Sequence, residues 1–149
     1  MSARGASFAA ILAASYATVT GQPLVPEDMP GTQAAAWLYE APFALLAHDT
    51  SPDPLFLYAN LTAQERFEYS WDEFVGLPSR LSAVEQAREE RRVFMDTVRL
   101  QGYAGDYRGL RIAKSGRRFW IEDVTIWNLA GPGSALVGQA ALIRGWTDA

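Results

Sequence analysis

The chain has 149 residues, which suits one domain, and its 49% hydrophobic and 20% charged residues are typical of a folded globular protein. Its 17 acidic and 13 basic side chains give a net charge of -4, which disfavours the broad basic face of a nucleic-acid-binding protein. Cysteine is absent, so disulfides, thiolate metal sites and a cysteinyl adduct to a chromophore are excluded.

The N-terminal part of the chain predicts two helices. Residues 7–18 place apolar side chains at helical spacing, and Gly21 can end this helix. The same segment faintly resembles an export signal, but its basic start is weak, so we expect a helix in a cytoplasmic protein. A second helix follows Thr32 and must stop before Pro42. No run approaches the roughly 20 apolar residues that a membrane-spanning helix needs.

The middle of the chain predicts short strands and sharply turned helices. "PFALLAHDT" suits either a first strand or a continued helix, "SPDP" is a turn, and "LFLYAN" predicts a buried strand. Three candidate capping boxes follow, in each of which a hydroxyl side chain and a glutamate three residues later would cap one helix start. These pairs are Thr62 with Glu65, Ser70 with Glu73, and Ser82 with Glu85. The third pair opens one longer helix, which Gly102 can end.

The C-terminal part predicts three strands. "DYRGLRIAKSGRRFWIEDVTIWNL" alternates about a Ser-Gly turn and therefore predicts a hairpin, and "ALVGQAALIRGW" predicts a last strand. The apolar phase of the second hairpin strand changes between Ile121 and Val124. We therefore expect a β-bulge near Glu122 and Asp123.

This order of elements resembles the PAS domain, and the sequence is most similar to the MEKHLA domain, a PAS-like group found in bacteria and in plant homeodomain–leucine zipper regulators. The resemblance is carried by "LYEAPFALLAHDTSPDPLFLYAN", "SWDEFVGLPSRLSA", "GYAGDYRGLRIAKSGRRFWIE", "IWNL" and "GQAA". It implies an α+β, PAS-like fold: a five-stranded antiparallel sheet with short helices and one longer helix on one face, preceded by N-terminal helices. The expected division is an N-terminal helical extension, residues 1–36, and a PAS-like MEKHLA domain, residues 37–149.

The resemblance implies a sensory or regulatory module with a small cavity between the sheet and the helices. We expect it to bind an unidentified small organic ligand and to act through protein contacts, as a homodimer formed by the N-terminal helix (residues 8–19) or by the sheet. One alternative is a ligand-free interaction module whose aromatic residues fill the core. A small cavity enzyme is less favoured, because Glu122 and Asp123 are the only acid–base pair that we identify and they form no convincing catalytic constellation.

Seven side chains are candidates for contact with the ligand: Asn60, Trp71, Arg80, Arg111, Trp127, Asn128 and Gln139. Asn60 also suits a helix cap, and Trp71 a packed aromatic. The arginines can bind a carboxylate or phosphate through paired hydrogen bonds. Arg80 is the arginine of most interest, since it lies in the connection that walls a PAS cavity, although an ion pair with a nearby glutamate is the favoured interpretation.

The amide and aromatic candidates raise the question of which face of the sheet they occupy. Trp127 and Asn128 are neighbours on one strand, so only one can face the cavity, and a buried Asn128 would need hydrogen-bond partners. Flavin-binding relatives place an amide two positions after the glycine, whereas Gln139 follows Gly138 directly. The resemblance therefore implies a reversed face for Gln139.

The expectations about cofactors follow from the differences between this sequence and its flavin- and haem-binding relatives. The reversed face of Gln139 and the missing cysteine disfavour a photochemical flavin switch, while a non-covalent flavin stays open. His48 is the only histidine, and it lies at the rim of the first strand rather than on the helix that haem sensors of this group use. We therefore expect a structural histidine and no haem. No set of three or four nearby ligands predicts a zinc site.

Overall fold

A computed structural model describes residues 5–26, 29–83, 88–131, 133 and 135–149, with backbone alone for residues 88–91. The elements in chain order are α1 (Ala6–Thr20), α2 (Gly31–Tyr39), β1 (Ala44–His48), β2 (Phe56–Ala59), α3 (Leu61–Phe67), α4 (Trp71–Phe74), a 3-10 turn (Ser79–Ser82), α5 (Arg88–Gln101), β3 (Tyr103–Ile112), β4 (Arg118–Ala130) and β5 (Leu136–Asp148). None of the helices in this described part is long and apolar enough to cross a bilayer.

The five strands form one antiparallel sheet in the order β2-β1-β5-β4-β3. The segment that suited either a strand or a helix is strand β1, which pairs with β2 on one side and with β5 on the other. The predicted bulge is present: Asp123 has φ of 51°, and the β3–β4 register shifts on both sides of the Tyr107–Val124 pair. The predicted α+β, PAS-like architecture is therefore confirmed.

Helices cover both faces of the sheet. On β4, Ile126 belongs to the apolar cluster on the face that carries α3, α4 and α5, whereas Trp127 belongs to the cluster on the face that carries α1. We call these the inner face and the outer face. The prediction that the short helices and the longer helix share one face is correct, and the N-terminal helices complete the second face of the core.

Helix α1 is an integral part of the outer-face core. Phe8, Leu12 and Tyr16 are buried, and the Tyr16 ring meets the Trp127 ring edge-on with 4.9 Å between their centroids. The Ser15 hydroxyl oxygen accepts a hydrogen bond from the Ala130 amide at 3.0 Å. Full burial of one large apolar side chain stabilises a fold by about 1.5–3 kcal/mol, so this contact contributes substantially to stability.

The three predicted capping boxes have different outcomes. The box at Ser70 is confirmed, since its hydroxyl accepts from the Glu73 amide while the Glu73 carboxylate accepts from the Ser70 amide. The box at Thr62 is wrong, because helix α3 begins two residues earlier than that box requires and its cap is Asn60. Thr62 instead donates its hydroxyl to the Ala41 carbonyl at 2.7 Å.

The third predicted box involves Ser82, which ends the 3-10 turn. Its hydroxyl donates to the Ser79 carbonyl at 2.7 Å. Glu85, the other member of that box, lies outside the described residues. Ala83, the residue after the turn, forms an isolated antiparallel bridge with Arg111 on β3.

Candidate functional site

A cavity of about 30 Å³ lies between the inner face of the sheet and the helices that cover it. Its wall consists of Leu46, His48, Phe56, Phe67, Ser82, Met95, Arg111, Ile121, Ile126, Gln139, Ala140, Ala141 and Ile143. Most of these side chains are apolar, and the polar ones come from four separate elements. Since one water molecule needs roughly 10–15 Å³ of such space, the cavity has room for about two waters or one very small molecule.

Arg111 is the charged member of the wall, and only 5% of the residue is exposed. Its burial follows from the phase of β3, in which Tyr107, Gly109 and Arg111 are buried and the intervening residues are less so. The bridge to Ala83 covers the outer edge of the strand at the same point. An arginine on an amphipathic hairpin is thereby enclosed within the core.

Tyr107 holds the guanidinium group in place. The Nη2 group of Arg111 donates to the Tyr107 hydroxyl at 3.3 Å, and the Tyr107 ring packs on Phe94 with 4.2 Å between ring centroids. Gly109 makes this arrangement fit, because a Cβ atom at that position would lie 2.5 Å from the Tyr107 hydroxyl oxygen. The glycine therefore leaves space for a tyrosine whose hydroxyl reaches the arginine.

The positive charge of Arg111 has no carboxylate partner among the residues that the structure describes. Its second hydrogen bond runs from Nη1 to the Leu110 carbonyl at 3.0 Å. Both acceptors, a hydroxyl and a carbonyl, are neutral. A buried charge is strongly unfavourable unless hydrogen bonds and a counter-charge compensate it, and arginine does not lose its proton in proteins. Among the described residues, this uncompensated charge distinguishes Arg111 from the rest of the cavity wall.

Gln139 and Asn128 form a pair of amides on neighbouring strands. Gln139 Nε2 donates to Asn128 Oδ1 at 3.0 Å, and Asn128 Nδ2 donates to the Val98 carbonyl at 3.4 Å, in the last turn of α5. Gln139 lines the cavity, so the expectation that its face is reversed is wrong. The sequence argument rested on the distance from Gly138, which does not fix the phase of β5.

Two of the candidate residues, Trp127 and Asn60, contribute to the packing and hydrogen bonding of the fold rather than to the cavity wall. Trp127 is buried on the outer face against Tyr16, on the side of the sheet opposite the cavity. Asn60 is fully buried and uses its whole side-chain amide on the backbone: Oδ1 accepts from the amides of Leu45 and Ala63. Its Nδ2 group donates to two carbonyls, those of Leu38 and Phe43.

Trp71 and Arg80 also lie away from the cavity wall. The Trp71 ring meets the rings of Tyr39 and Tyr58 edge-on, with centroids 6.0 and 5.7 Å apart. Arg80 is exposed and pairs with Asp53, with 3.2 Å between Nε and Oδ1. The ion-pair alternative for Arg80 is therefore observed, although with an aspartate. The arginine that reaches the cavity is Arg111 rather than Arg80.

His48 ends β1 and contributes to the cavity wall. Its Nδ1 atom lies 2.9 Å from the Asp49 carbonyl oxygen, and since a carbonyl can only accept, this nitrogen must carry the proton. Asp49 in turn organises the predicted turn: its Oδ1 accepts from the Ser51 hydroxyl at 2.6 Å and the Leu55 amide at 2.9 Å. These bonds, the Ser51 hydroxyl foremost, hold the pKa of Asp49 below its usual value.

Several wall residues were not anticipated from the sequence, among them Ser82 and Met95. Tyr107, which positions the arginine, was also missed. The sequence feature that could have identified it is the Tyr-x-Gly-x-Arg spacing, which puts the three residues on one face of a strand. Within the described residues, no carboxylate lines the cavity and no cluster of histidine and acidic side chains is arranged to hold a metal ion.

Comparisons with known proteins agree with this architecture. The sequence profile of the MEKHLA domain matches residues 6–148. The PAS domain of a protein from Colwellia psychrerythraea superposes with a TM-score of 0.66 at 20% identity, over 75% of this chain and 92% of that one. A comparison with curated proteins gives no match.

Two further structures are similar in fold. A light-oxygen-voltage domain studied with a flavin analogue has a TM-score of 0.62 at 18% identity, over 74% of this chain and 82% of that chain. An RNA-binding light-oxygen-voltage receptor has a TM-score of 0.67 at 18% identity, over 81% of this chain and 34% of that one.

A flavin does not fit the residues at this cavity. Pockets for drug-sized ligands and cofactors have volumes of roughly 300–1,000 Å³, about ten times or more the volume found here. An isoalloxazine ring would have to displace side chains that form the wall. The chain also contains no cysteine that could form a photochemical adduct.

Proposed function

Because this chain belongs to the MEKHLA domain family and folds as a PAS domain, we propose that it is a sensory and regulatory domain. It binds a small organic molecule in the cavity on the inner face and transmits the bound state through contacts with another protein. The single observation that carries this proposal is the cavity itself, an apolar wall into which a few polar side chains converge from separate elements. That combination is typical of ligand sites.

The amide pair provides a route by which ligand binding can reach the surface. Gln139 lines the cavity and bonds to Asn128, which bonds to the Val98 carbonyl near the end of α5. The same last turn of that helix carries Leu100, which is 81% exposed. A ligand that changes the hydrogen bonding of Gln139 would therefore alter the last turn of α5 beside an exposed apolar residue.

A ligand-free interaction module is the second candidate, and the small volume of the cavity favours it. The two candidates differ in what the purified protein contains or can take up. We would compare its mass under native and denaturing conditions and record its absorption spectrum on the same sample. Extra mass that disappears on denaturation supports a ligand-binding domain. If no mass is lost and no small molecule raises the unfolding temperature, the interaction module is the better description.

Self-association is part of the proposal. The apolar side of α1 is buried against its own sheet, so a homodimer through this helix must use its opposite side, where Ala10, Ala14 and Ala17 are exposed. The alternative contact is the sheet. Light scattering on the wild type and on Ala14→Glu tests the helix: a dimer that becomes a monomer supports it, and an unchanged mass overturns it.

We also propose a cytoplasmic location. Helix α1, whose sequence faintly resembles an export signal, contributes Phe8, Leu12 and Tyr16 to the core. This packing supports the interpretation of the segment as a structural helix. Fractionation of cells that produce the full chain tests the location, and recovery outside the cytoplasm would contradict it.

A further inference from the structure

We propose that the ligand of this cavity is a small aliphatic monocarboxylate whose carboxylate pairs with Arg111. The inference rests on the proposed function, since it names the class of molecule that the sensory cavity takes. It depends on the charge of the wall, the donors that are available there and the space between them.

The charge of the wall selects an anion. Arg111 is 5% exposed and has neutral acceptors alone as hydrogen-bond partners in the described part of the chain. No described carboxylate lines the cavity. An anion that enters therefore meets one buried positive charge and no negative charge from the described residues, and it supplies the compensation that those residues leave out.

The donors of Arg111 suit a planar carboxylate. Guanidinium has five N–H groups, of which one donates to Tyr107 and one to the Leu110 carbonyl. Three N–H groups therefore have no acceptor among the described residues. A carboxylate can take two of them side by side, which is the strongest geometry for this pair. Tyr107 stabilises the required orientation of the guanidinium group and acts as a positioning residue.

The size and polarity of the remaining wall select a short alkyl group and a single charge. The cavity of about 30 Å³ accommodates only a few heavy atoms. On the neighbouring strands of the same sheet face the wall contains Ile121, Ile126 and Ile143, which favour a hydrocarbon over a second charged group. A phosphate dianion would bring more charge and more acceptors than one arginine can satisfy. Acetate and propionate are both larger than two waters, so Met95, a flexible side chain in the wall, must move to admit either of them.

The test compares molecules of equal shape and different charge. We would titrate the 15N-labelled full chain with sodium propionate, sodium acetate and neutral propionamide, with sodium chloride to hold ionic strength constant, and follow the amide resonances of Ile126 and Ala141. We expect saturable shifts at these positions with the carboxylates and at least tenfold weaker binding of propionamide. Binding of propionamide as tight as that of propionate overturns the inference while the ligand-binding function stands.

Variants locate the interaction. Arg111→Gln should weaken the binding of propionate about tenfold or more, because a hydrogen-bonded charge pair is lost. Tyr107→Phe should weaken it by a smaller factor. The matched control is Arg108→Gln, on the same strand but exposed and paired with Glu122, which should bind as the wild type does. Unchanged affinity in a folded Arg111→Gln protein overturns the assignment, and if that variant does not fold, the comparison of propionate with propionamide on the wild type decides.

The result also separates the two proposals. If neither propionate nor propionamide shifts any cavity resonance and the purified protein loses no mass on denaturation, both the carboxylate inference and the ligand-binding function fail. If a neutral molecule is released on denaturation, the sensory function holds and the carboxylate inference is wrong.

Discussion

Gln139 and Asn128 lie directly opposite each other on β5 and β4, and their side-chain amides are joined by a hydrogen bond of 3.0 Å on the inner face of the sheet. Asn128 is also bonded to the Val98 carbonyl. The cavity wall is thus linked to the last turn of α5 by side-chain hydrogen bonds that are partly buried. Removal of one residue leaves the group that it bonded without a partner, which lowers the stability of the fold.

A double-mutant cycle measures this link. Asn128→Ala and Gln139→Ala should each lower the free energy of unfolding by about 1–2 kcal/mol, since each leaves a partly buried polar group without its partner. The double variant should lose less stability than the two single variants do together, by about 0.5–1.5 kcal/mol. Urea denaturation gives all three values.

The control for this cycle is a hydrogen-bonded pair on the same two strands. Thr147 donates its hydroxyl to Glu122 at 2.9 Å, but this pair is exposed. Water replaces such a bond readily, so its coupling energy should stay below about 0.5 kcal/mol. Equal coupling in the two cycles would show that the amide pair has no special role.

Asn60→Ala should be among the most destabilising single substitutions in the chain. Asn60 caps α3 and also bonds to β1 and to the end of α2, through the Leu45 amide and the Leu38 carbonyl. Loss of a cap costs about 1 kcal/mol, and each buried group left without a partner costs about 1–3 kcal/mol. We expect a loss of at least about 3 kcal/mol by urea denaturation.

Ser70→Ala is the matched control for Asn60. Ser70 also caps a helix, but its hydrogen bond to the Glu73 amide is exposed. Its removal should cost about 1 kcal/mol, close to the typical value for a cap. Similar losses in the two variants would mean that the long-range bonds of Asn60 contribute nothing.

These two caps illustrate what the sequence could and could not predict. The box formed by Ser70 and Glu73 depends on residues three apart, so it is visible in the sequence, as are strands β2 to β5, whereas the β1 segment suited either a strand or a helix. The bonds of Asn60 reach back 22 residues to Leu38, and no local pattern reveals such a contact. The fold and the helix cap at Asn60 were therefore predictable, while the long-range bonds of this residue were not.

Arg111 was a candidate from the sequence, but for a related reason the sequence could not show that it, rather than Arg80, reaches the cavity. Both sets of alternate residues on β3 contain an arginine, Arg108 in one and Arg111 in the other, and apolar residues occur in both. The choice of face depends on tertiary packing: α5 brings Phe94 onto Tyr107, and Gly109 leaves space for that ring. Hydrophobic alternation alone cannot decide between two such faces.

Leu12→Ala tests whether α1 is part of the folded core. Leu12 is 1% exposed and packs on the outer face of the sheet. Truncation of a buried leucine typically costs about 2–5 kcal/mol, because apolar contacts are lost and a cavity remains. Thr18→Ala, at an exposed position of the same helix, should change stability by no more than about 0.5 kcal/mol. A thermal or urea unfolding curve for Leu12→Ala that matches the wild type would show that α1 is not held on the sheet.

The ion pair between Glu73 and Lys114 makes stability depend on acid pH. The Lys114 ammonium group, which donates to the Glu73 carboxylate, and the Ser70 amide together lower the pKa of Glu73 from 4.5 to about 2. A carboxyl group whose pKa is lower in the folded protein stabilises the fold fully above its unfolded value. This contribution is lost as the pH falls from 4.5 through about 2.

Glu73→Gln should therefore be less stable than the wild type above about pH 4.5, and this difference in stability should disappear as the pH approaches 2. Urea unfolding at a series of pH values measures it. Lys114→Met should show a smaller pH-dependent loss of stability, because the Ser70 amide still donates to Glu73. The pair is exposed, so about 1 M salt, where the Debye length is about 3 Å, should reduce the difference. A difference between Glu73→Gln and the wild type that is constant from pH 7 to pH 2 would contradict the lowered pKa.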